Sequence, residues 1–299
     1  MHRPFLLLAG MLLATTARAQ QLEPRAFSAA PVGLNIAALG YGYNTGDLLF
    51  GQDIPIEEAS AKLNTLTGLY VRTIDFFGAS AKLSAVVPFA WGTYRGRLTG
   101  IDTSTSRTGF ADPRVQLAVS FLGAPAQTPR EFAGFHEGTV AGASLFVTIP
   151  VGQYDPSKLV NLGTNRWSFR PRIGLSHTAG KLTLELFGDV WLFANNPDQF
   201  GEVVKQDPIW AIQSHVIYYF RPGLWLGFDA GYGAGGKTTV GGVPKNNQQE
   251  NTLLAGTLAV PINRRVSLKF AYVTGVSTRL GADFDTFQVF YQYRWGGGL

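Results

Sequence analysis

Three guanidinium groups, Arg166, Arg170 and Arg172, fall on even positions between residues 166 and 176, with Ser168 and Ser176 on the same side. The odd positions hold Trp167, Phe169, Pro171, Ile173 and Leu175. Such period-two alternation gives a β-strand one polar and one apolar face, and a slip of one residue would exchange the two. The next alternating segments place acids on the matching polar face: Glu185 and Asp189 in 181–193, then His215 and Asp229 in the following pair. A two-residue turn at Ala179-Gly180 would pair Thr178 with Lys181, setting Arg170 across from Asp189 and Glu185 within diagonal reach of Arg172. A three-residue turn at Arg221-Pro222-Gly223 would set His215 across from Asp229. Arg114 and Lys269, with Lys62 and Lys82, occupy the polar faces of their own segments, so the cluster leans cationic. Charges on one shared interior can select or orient a permeant. They can equally do no more than satisfy one another where water is scarce.

Other chemistries find less support. A hydrolase needs a nucleophilic serine held by a histidine that a third group orients. Beyond residue 19 the histidines are His136, His177 and His215. The first lies in a turn, the second borders one, and the third faces inward while Ser214 faces outward. No catalytic residue is assigned, and an outer-membrane lipid hydrolase is the least favoured reading. The absence of cysteine removes thiolate metal sites and disulfides. Asp47 with Asp53, and Asp102 with Asp112, lack the spaced oxygen ligands of a calcium loop. Gly40-Tyr41-Gly42 and the stretch from Gly233 to Gly236 do not sit between a strand and a helix, as a phosphate loop requires. No metal and no cofactor are expected.

The elements that position the charges come after a secretory leader. Arg3, the apolar run 5–14 and Ala17-Arg18-Ala19 read as a signal peptide over 1–19, with the mature chain starting at Gln20. Removing Arg3 and Arg18, with no acid before residue 20, lowers the net charge from +5 to +3. That is too mild and too dispersed for nucleic acid. No later apolar run approaches the roughly 18 residues of a membrane helix, so a membrane reading leaves only a closed barrel. The soluble alternative is a periplasmic β-sandwich.

Patterning favours the barrel. Apolar faces built on Leu83, Val87 and Phe89, on Val115, Leu117 and Phe121, on Leu145 and Val147, on Leu182, Leu184 and Leu186, on Trp210, Ile212 and Val216, on Leu226 and Phe228, and on Leu268, Phe270 and Tyr272 alternate with polar faces. The first strand is expected over 32–44. In 62–74, Leu63, Leu69 and Val71 are assigned outward, with Lys62, Asn64 and Arg72 inward. The closing segment 284–295 alternates Phe287, Val289, Tyr291, Tyr293 and Trp295 with Thr286, Gln288, Phe290, Gln292 and Arg294. Phe146, Phe187, Trp191 and Phe290 are aromatics on inward positions. Short and long connections alternate, and the one long connection on the short side, 122–138, could hold a helical turn at 129–135. An even strand count with both termini in the periplasm is the rule for such barrels, and aromatics gather near strand ends as interfacial girdles do.

Leu22-Glu23-Pro24-Arg25, Leu39-Gly40-Tyr41-Gly42-Tyr43, Val87-Pro88-Phe89-Ala90-Trp91, Gly109-Phe110-Ala111-Asp112-Pro113-Arg114, residues 149–155 and 161–167, and Gln292-Tyr293-Arg294-Trp295 resemble the phenol-degradation MetA-pathway family of outer-membrane barrel proteins. The resemblance implies a transporter-like barrel and aromatic solutes, and carries no catalytic residues.

The fold expected is therefore all-β, a transmembrane antiparallel up-and-down β-barrel of about 12 strands. Its parts are the signal peptide 1–19, a short periplasmic lead 20–31 too brief for a plug domain, the barrel 32–295 and a flexible tail 296–299. The function expected is passive passage of small, including aromatic, solutes through a narrow lumen in the outer membrane of a Gram-negative bacterium. A structural or adhesive barrel acting through its loops is the alternative. Partners expected are outer-membrane lipid, periplasmic chaperones and the barrel-assembly machinery, for which Tyr291, Tyr293 and Trp295 would be the signal. The permeant is not identified by the sequence.

Overall fold

The computed structural model describes residues 13–14, 22–51 and 56–298. The expected signal peptide lies outside them except for Leu13–Ala14. Alternating strands joined in sequence form an antiparallel wall: β1 Asn35–Leu49, β2 Ile56–Phe76, β3 Ala79–Leu98, β4 Arg114–Pro125, β5 Thr139–Thr148, β6 Ser168–Ala179, β7 Leu182–Phe193, β8 Ile209–Arg221, β9 Leu224–Gly235, β10 Gln249–Pro261, β11 Val266–Thr278 and β12 Gly281–Trp295. These are 12 of the 13 strands of one sheet. The other, Ile101–Phe110, extends only the outer half of β3 as a hairpin. Strand β12 pairs with β1 from Gly281↔Leu49 to Trp295↔Asn35 and closes the barrel. Closure pairs the twelve wall strands with one another around the barrel, as hydrocarbon requires of backbone N–H and C=O groups, and leaves the hairpin strand Ile101–Phe110 paired on one side only.

The wall sorts side chains by parity. Leu39, Leu83, Val87, Leu145, Ile173, Leu184, Trp210, Phe228 and Phe287 lie on the outside. Arg170, Arg172, Glu185, Asp189, Gln213, His215, Asp229 and Thr286 are buried within. On β2 the facing is the reverse of that expected: Ala61, Leu63 and Thr73 are buried, Leu66 and Tyr70 lie outside, and Lys62 and Arg72 are exposed. The reason is register against β1, whose Gly40 and Gly42 face inward opposite Thr67 and Thr65. Lys62 and Arg72 flank the apolar middle of this long strand, where a cationic head can reach water along its own stem. Lys62 is thus not a lumenal charge. Strand β1 begins and ends later than the expected 32–44.

Turns at one end are short. Phe77 and Gly78 both have positive φ, and Gly78 N donates to Asp75 Oδ1 at 2.7 Å. The long connection at that end carries α1, Pro129–Phe132, at the place expected for a helical turn. Thr128 and Glu131 cap it reciprocally, and those hydrogen bonds from Thr128 hold the Glu131 carboxyl below its ordinary value. At the other end the loops are structured. Asn196–Gln199, Glu202–Gln206, Thr238–Val240 and Val243–Pro244 form a four-stranded sheet from what the sequence presents as polar loops.

The largest departure concerns the lead. Residues 22–31 do not hang below the barrel; they run inside it. Phe27 is fully buried against Ala118, Ala124, Val140 and Phe187. A twelve-stranded wall encloses more space than its own side chains fill, and its inward polar groups need partners. The lead supplies both. The tail also packs: Gly296, Gly297 and Gly298 all have positive φ and turn back against Gly33, Leu34 and Pro129, where glycine alone adopts the conformation freely.

Candidate functional site in the barrel lumen

The β6–β7 hairpin fixes the centre of the site. Its turn is Gly180-Lys181, not Ala179-Gly180: Ala179 pairs with Leu182, and Gly180 has φ +60°. With Lys181 at ordinary φ, this is the pattern of a turn that requires glycine at its first central position. The change moves the register by two residues. Asp189 therefore lies opposite Arg172 rather than Arg170, and Glu185 opposite Ser176, out of reach of Arg172.

Arg172 donates from Nε to Asp189 Oδ1 at 2.7 Å and from Nη2 to Oδ2 at 3.3 Å, while Gln213 Nε2 donates to Oδ2 at 2.9 Å. Such a fork is the strong form of a guanidinium–carboxylate contact. Arg170 Nε lies 3.8 Å from the same carboxylate. The remaining donors turn to the lead: Arg172 Nη1 to Glu23 Oε2 at 3.1 Å, and Arg170 Nη2 to both Glu23 oxygens at 3.3 Å. Burial would raise the Glu23 carboxyl, but Arg170, Arg172 and Arg114 outweigh it and hold the group below its ordinary range. The guanidinium of Arg170 lies 3.7 Å from the Phe146 ring centre and 5.0 Å from that of Trp191; Arg172 lies 5.2 Å from Phe187.

Below this cluster the backbone of the lead is held by wall side chains. Arg25 N donates to Glu185 Oε2 at 2.7 Å, Lys82 Nζ to the carbonyls of Arg25 and Ala26 at 3.3 Å, and Ser120 Oγ to that of Phe27 at 3.0 Å. Ala29 N reaches Glu137 Oε2 at 2.8 Å. The Arg25 guanidinium stands 5.5 Å from the rings of Tyr219 and Trp225. Phe27 meets Phe187 edge-on at 5.4 Å over Gly142 and Gly174, where an added Cβ would come within 2.2 Å and 2.5 Å of its ring.

His215 and Asp229 pair as expected, though not through the expected three-residue turn: Arg221 pairs with Leu224 across Pro222-Gly223, and a bulge between Tyr219 and Arg221 restores the register. His215 Nδ1 lies 2.7 Å from Asp229 Oδ1, and both are buried. Thr257 Oγ1 adds a 3.4 Å bond to the other oxygen. Lys269 lies 5.1 Å from the Phe290 ring and faces Glu23 and Asp229 electrostatically. Tyr291, Tyr293 and Trp295 are outside the wall, with Trp295 against Tyr293 at 5.8 Å and Tyr70 at 6.1 Å.

Toward the loop end, residues 149–166 fold over the lumen. Asp112 is fully buried and accepts from Gly152 N at 2.8 Å, Thr164 N at 2.7 Å and Thr164 Oγ1 at 2.6 Å. Leu162 packs against Ala90 and Ala111. Arg166 hydrogen-bonds Gln206 and lies 4.5 Å from the Phe193 ring. Asp112 thus organises a loop, and Asp53 lies outside the described residues. Among the described residues no group of acids and histidines has a metal-holding arrangement. His177 bonds Thr139 and His136 the Gly134 carbonyl. An apolar depression on the outer wall, lined by Tyr41, Tyr43, Phe270, Tyr272 and Phe287, faces away from all of these charges.

The lead residues Glu23, Arg25 and Phe27 are the members that strand patterning misses. Inward charge is unbalanced, with Lys82, Arg114, Arg166, Arg170, Arg172 and Lys269 against Glu185, Asp189 and Asp229, but the lead brings Arg25 in beside Glu23 and so leaves that surplus unchanged. The count of charges therefore does not reveal it.

Known proteins match this arrangement at two levels. The family model described as "Putative MetA-pathway of phenol degradation" matches residues 45–290. An outer membrane channel from Pseudomonas putida F1 superposes with a TM-score of 0.78 at 18% identity, over 92% of this chain and 100% of that one. The transport unit of the autotransporter AIDA-I from Escherichia coli gives 0.51 at 11% identity, over 94% and 95%. At these identities the likeness is one of fold, that of outer-membrane barrels. No curated protein is significantly similar to the chain.

Proposed function

The chain belongs to the family described as a MetA-pathway of phenol degradation, and from that premise we propose that it is an outer-membrane channel for small solutes, aromatic ones among them, without catalytic activity. The observation that carries the reading is that the lumen is filled by a segment outside the wall. Twelve strands close the barrel without residues 22–31, and what occupies the passage is held by side-chain contacts and a few backbone bonds. Such a filling can leave while the wall stays shut to lipid. The Pseudomonas putida barrel, described as an outer membrane channel, lends support. The aromatic class rests on the family and on the rings of Phe146, Phe187 and Trp191 along the charged passage. Against an enzyme, no histidine among the described residues hydrogen-bonds a serine hydroxyl.

The test is conductance in planar bilayers of the full chain and of a variant lacking 22–31, both shown to be folded by heat-modifiable migration. Higher conductance for the deletion is expected. Equal silence from both would overturn the channel reading.

A further inference from the structure

Arg172 divides its donors between two carboxylates of different standing. Nε and Nη2 serve Asp189, whose side chain is 0% exposed and belongs to the adjacent strand. Nη1 serves Glu23, whose side chain is 32% exposed and belongs to the lead. Arg170 repeats the division, with Nη2 on Glu23 and Nε toward Asp189, while its Nη1 has no hydrogen-bond partner among the described residues. Both guanidinium groups are buried between aromatic rings, Phe146 and Trp191 for Arg170, Phe146 and Phe187 for Arg172. The wall offers no second acid here: Glu185 accepts from Arg25 N, and Asp229 holds His215 and Thr257.

We propose that Arg170 and Arg172, with Arg114 facing the same point, form a binding site for an organic carboxylate with an apolar body, and that Glu23 is its tethered occupant. The fork geometry of guanidinium fits the planar carboxylate of a ligand as well as that of a side chain. The flanking rings supply an apolar wall for the rest of the molecule. Asp189 keeps the arginines oriented, whereas Glu23, enclosed in the lumen yet 32% exposed against 0% for Asp189, fills the position that a solute can reach. A carboxylate solute displacing Glu23 therefore loses no wall contact and loosens the lead from the passage. This deepens the channel reading and rests on it for access to the lumen.

A tethered group competes at high effective concentration, so its removal should show as a gain in affinity. Equilibrium dialysis of labelled benzoate against the full chain in detergent, with empty micelles as reference, is expected to show about ten-fold or tighter binding for Glu23→Gln than for the unaltered chain. Glu23→Asp should return toward the unaltered value, and benzyl alcohol should distinguish none of the three. In the unaltered chain, benzoate but not benzyl alcohol should open the Arg25–Ala26 bond to trypsin, a readout that needs no variant. Equal benzoate binding with and without Glu23, or binding of benzyl alcohol as tight as benzoate, would overturn the site. Benzoate binding by a barrel that passes no current would support the site and overturn the channel reading alone.

Discussion

At the level of single residues, the lumen separates contacts that hold the wall from contacts that hold its contents. His215 and Asp229 belong to the first kind: 1% and 3% exposed, on paired strands, their rotamers fixed by Phe187 at 4.9 Å and by Thr257. Asp229→Ala leaves the His215 ring without its acceptor in a buried place, and losing one partner of such a bond costs about 1–3 kcal/mol. A lower urea midpoint with an unchanged slope would show it, and an unchanged midpoint would count against a structural role for the pair. Gly142 belongs to the second kind. Its missing side chain is the space in which the Phe27 ring lies, so Gly142→Val should leave the strands intact and expel Phe27. Conductance should rise toward that of the chain lacking 22–31, and an unchanged conductance would mean the lead tolerates displacement without opening a path. Alternation puts His215 and Asp229 on one face, but the turn length expected for them is wrong: Arg221 pairs with Leu224, and a bulge between Tyr219 and Arg221 restores the register. The role of Gly142 is not readable, because nothing in a strand pattern says what approaches a glycine from outside the strand.

Among elements, the hairpin and the lead teach different lessons. In β6–β7 the two faces follow from Arg166, Arg170 and Arg172 against Trp167, Phe169 and Ile173, yet the register depends on which dipeptide turns. Ala179-Gly180 and Gly180-Lys181 preserve the same facing, since they differ by two residues in pairing, and only backbone geometry chooses between them. In β2, Leu63 and Leu66 fall on opposite faces, so hydrophobicity alone does not assign the sides; the glycines of β1 do. The lead lacks periodicity altogether, and since Arg25 enters beside Glu23 its net charge does not betray its place either; what holds it are the Phe27 cluster and the charge of Glu23 on the arginines. The same charge gives it a pH dependence. Glu23 has a folded-state carboxyl held below its ordinary range by Arg170, Arg172 and Arg114 against the effect of burial. A depressed carboxyl contributes stability that is present above its unfolded value and lost as pH falls through the folded value. Docking of the lead should therefore persist through the ordinary carboxylate range and weaken only below it. Conductance of the unaltered chain should step up on that acidification and be restored on return. Glu23→Gln should show no such step; the same step in that variant would place the titration elsewhere, for instance on Asp189 or Asp229.

The whole molecule has its seam where chain ends meet. Strand β12 pairs with β1 over its full length, ending with Trp295 against Asn35, and Asn35 Nδ2 donates to the Trp295 carbonyl at 3.4 Å. The outward row Tyr291, Tyr293, Trp295 therefore lies on one side of that seam, with Trp295 at the terminal residue of β12. Residues 296–298 make no strand pairing and curl against Gly33, Leu34 and Pro129. This tail is packed, unlike the flexible extension that a run of glycines suggests, but it adds nothing to the closure that lipid requires. Removing 296–299 should leave insertion intact, measured as the heat-modifiable fraction in outer membranes, and lower only the midpoint of unfolding, since Leu34 and Pro129 lose their cover. Replacing Tyr293 and Trp295 together with alanine should instead cut the inserted fraction severalfold while the purified chain still folds in detergent, because the strand register involves the backbone and not those rings. Loss of insertion on removing the tail would move the assembly signal to the chain end itself, and make the contact with Leu34 part of how the last strand finds the first.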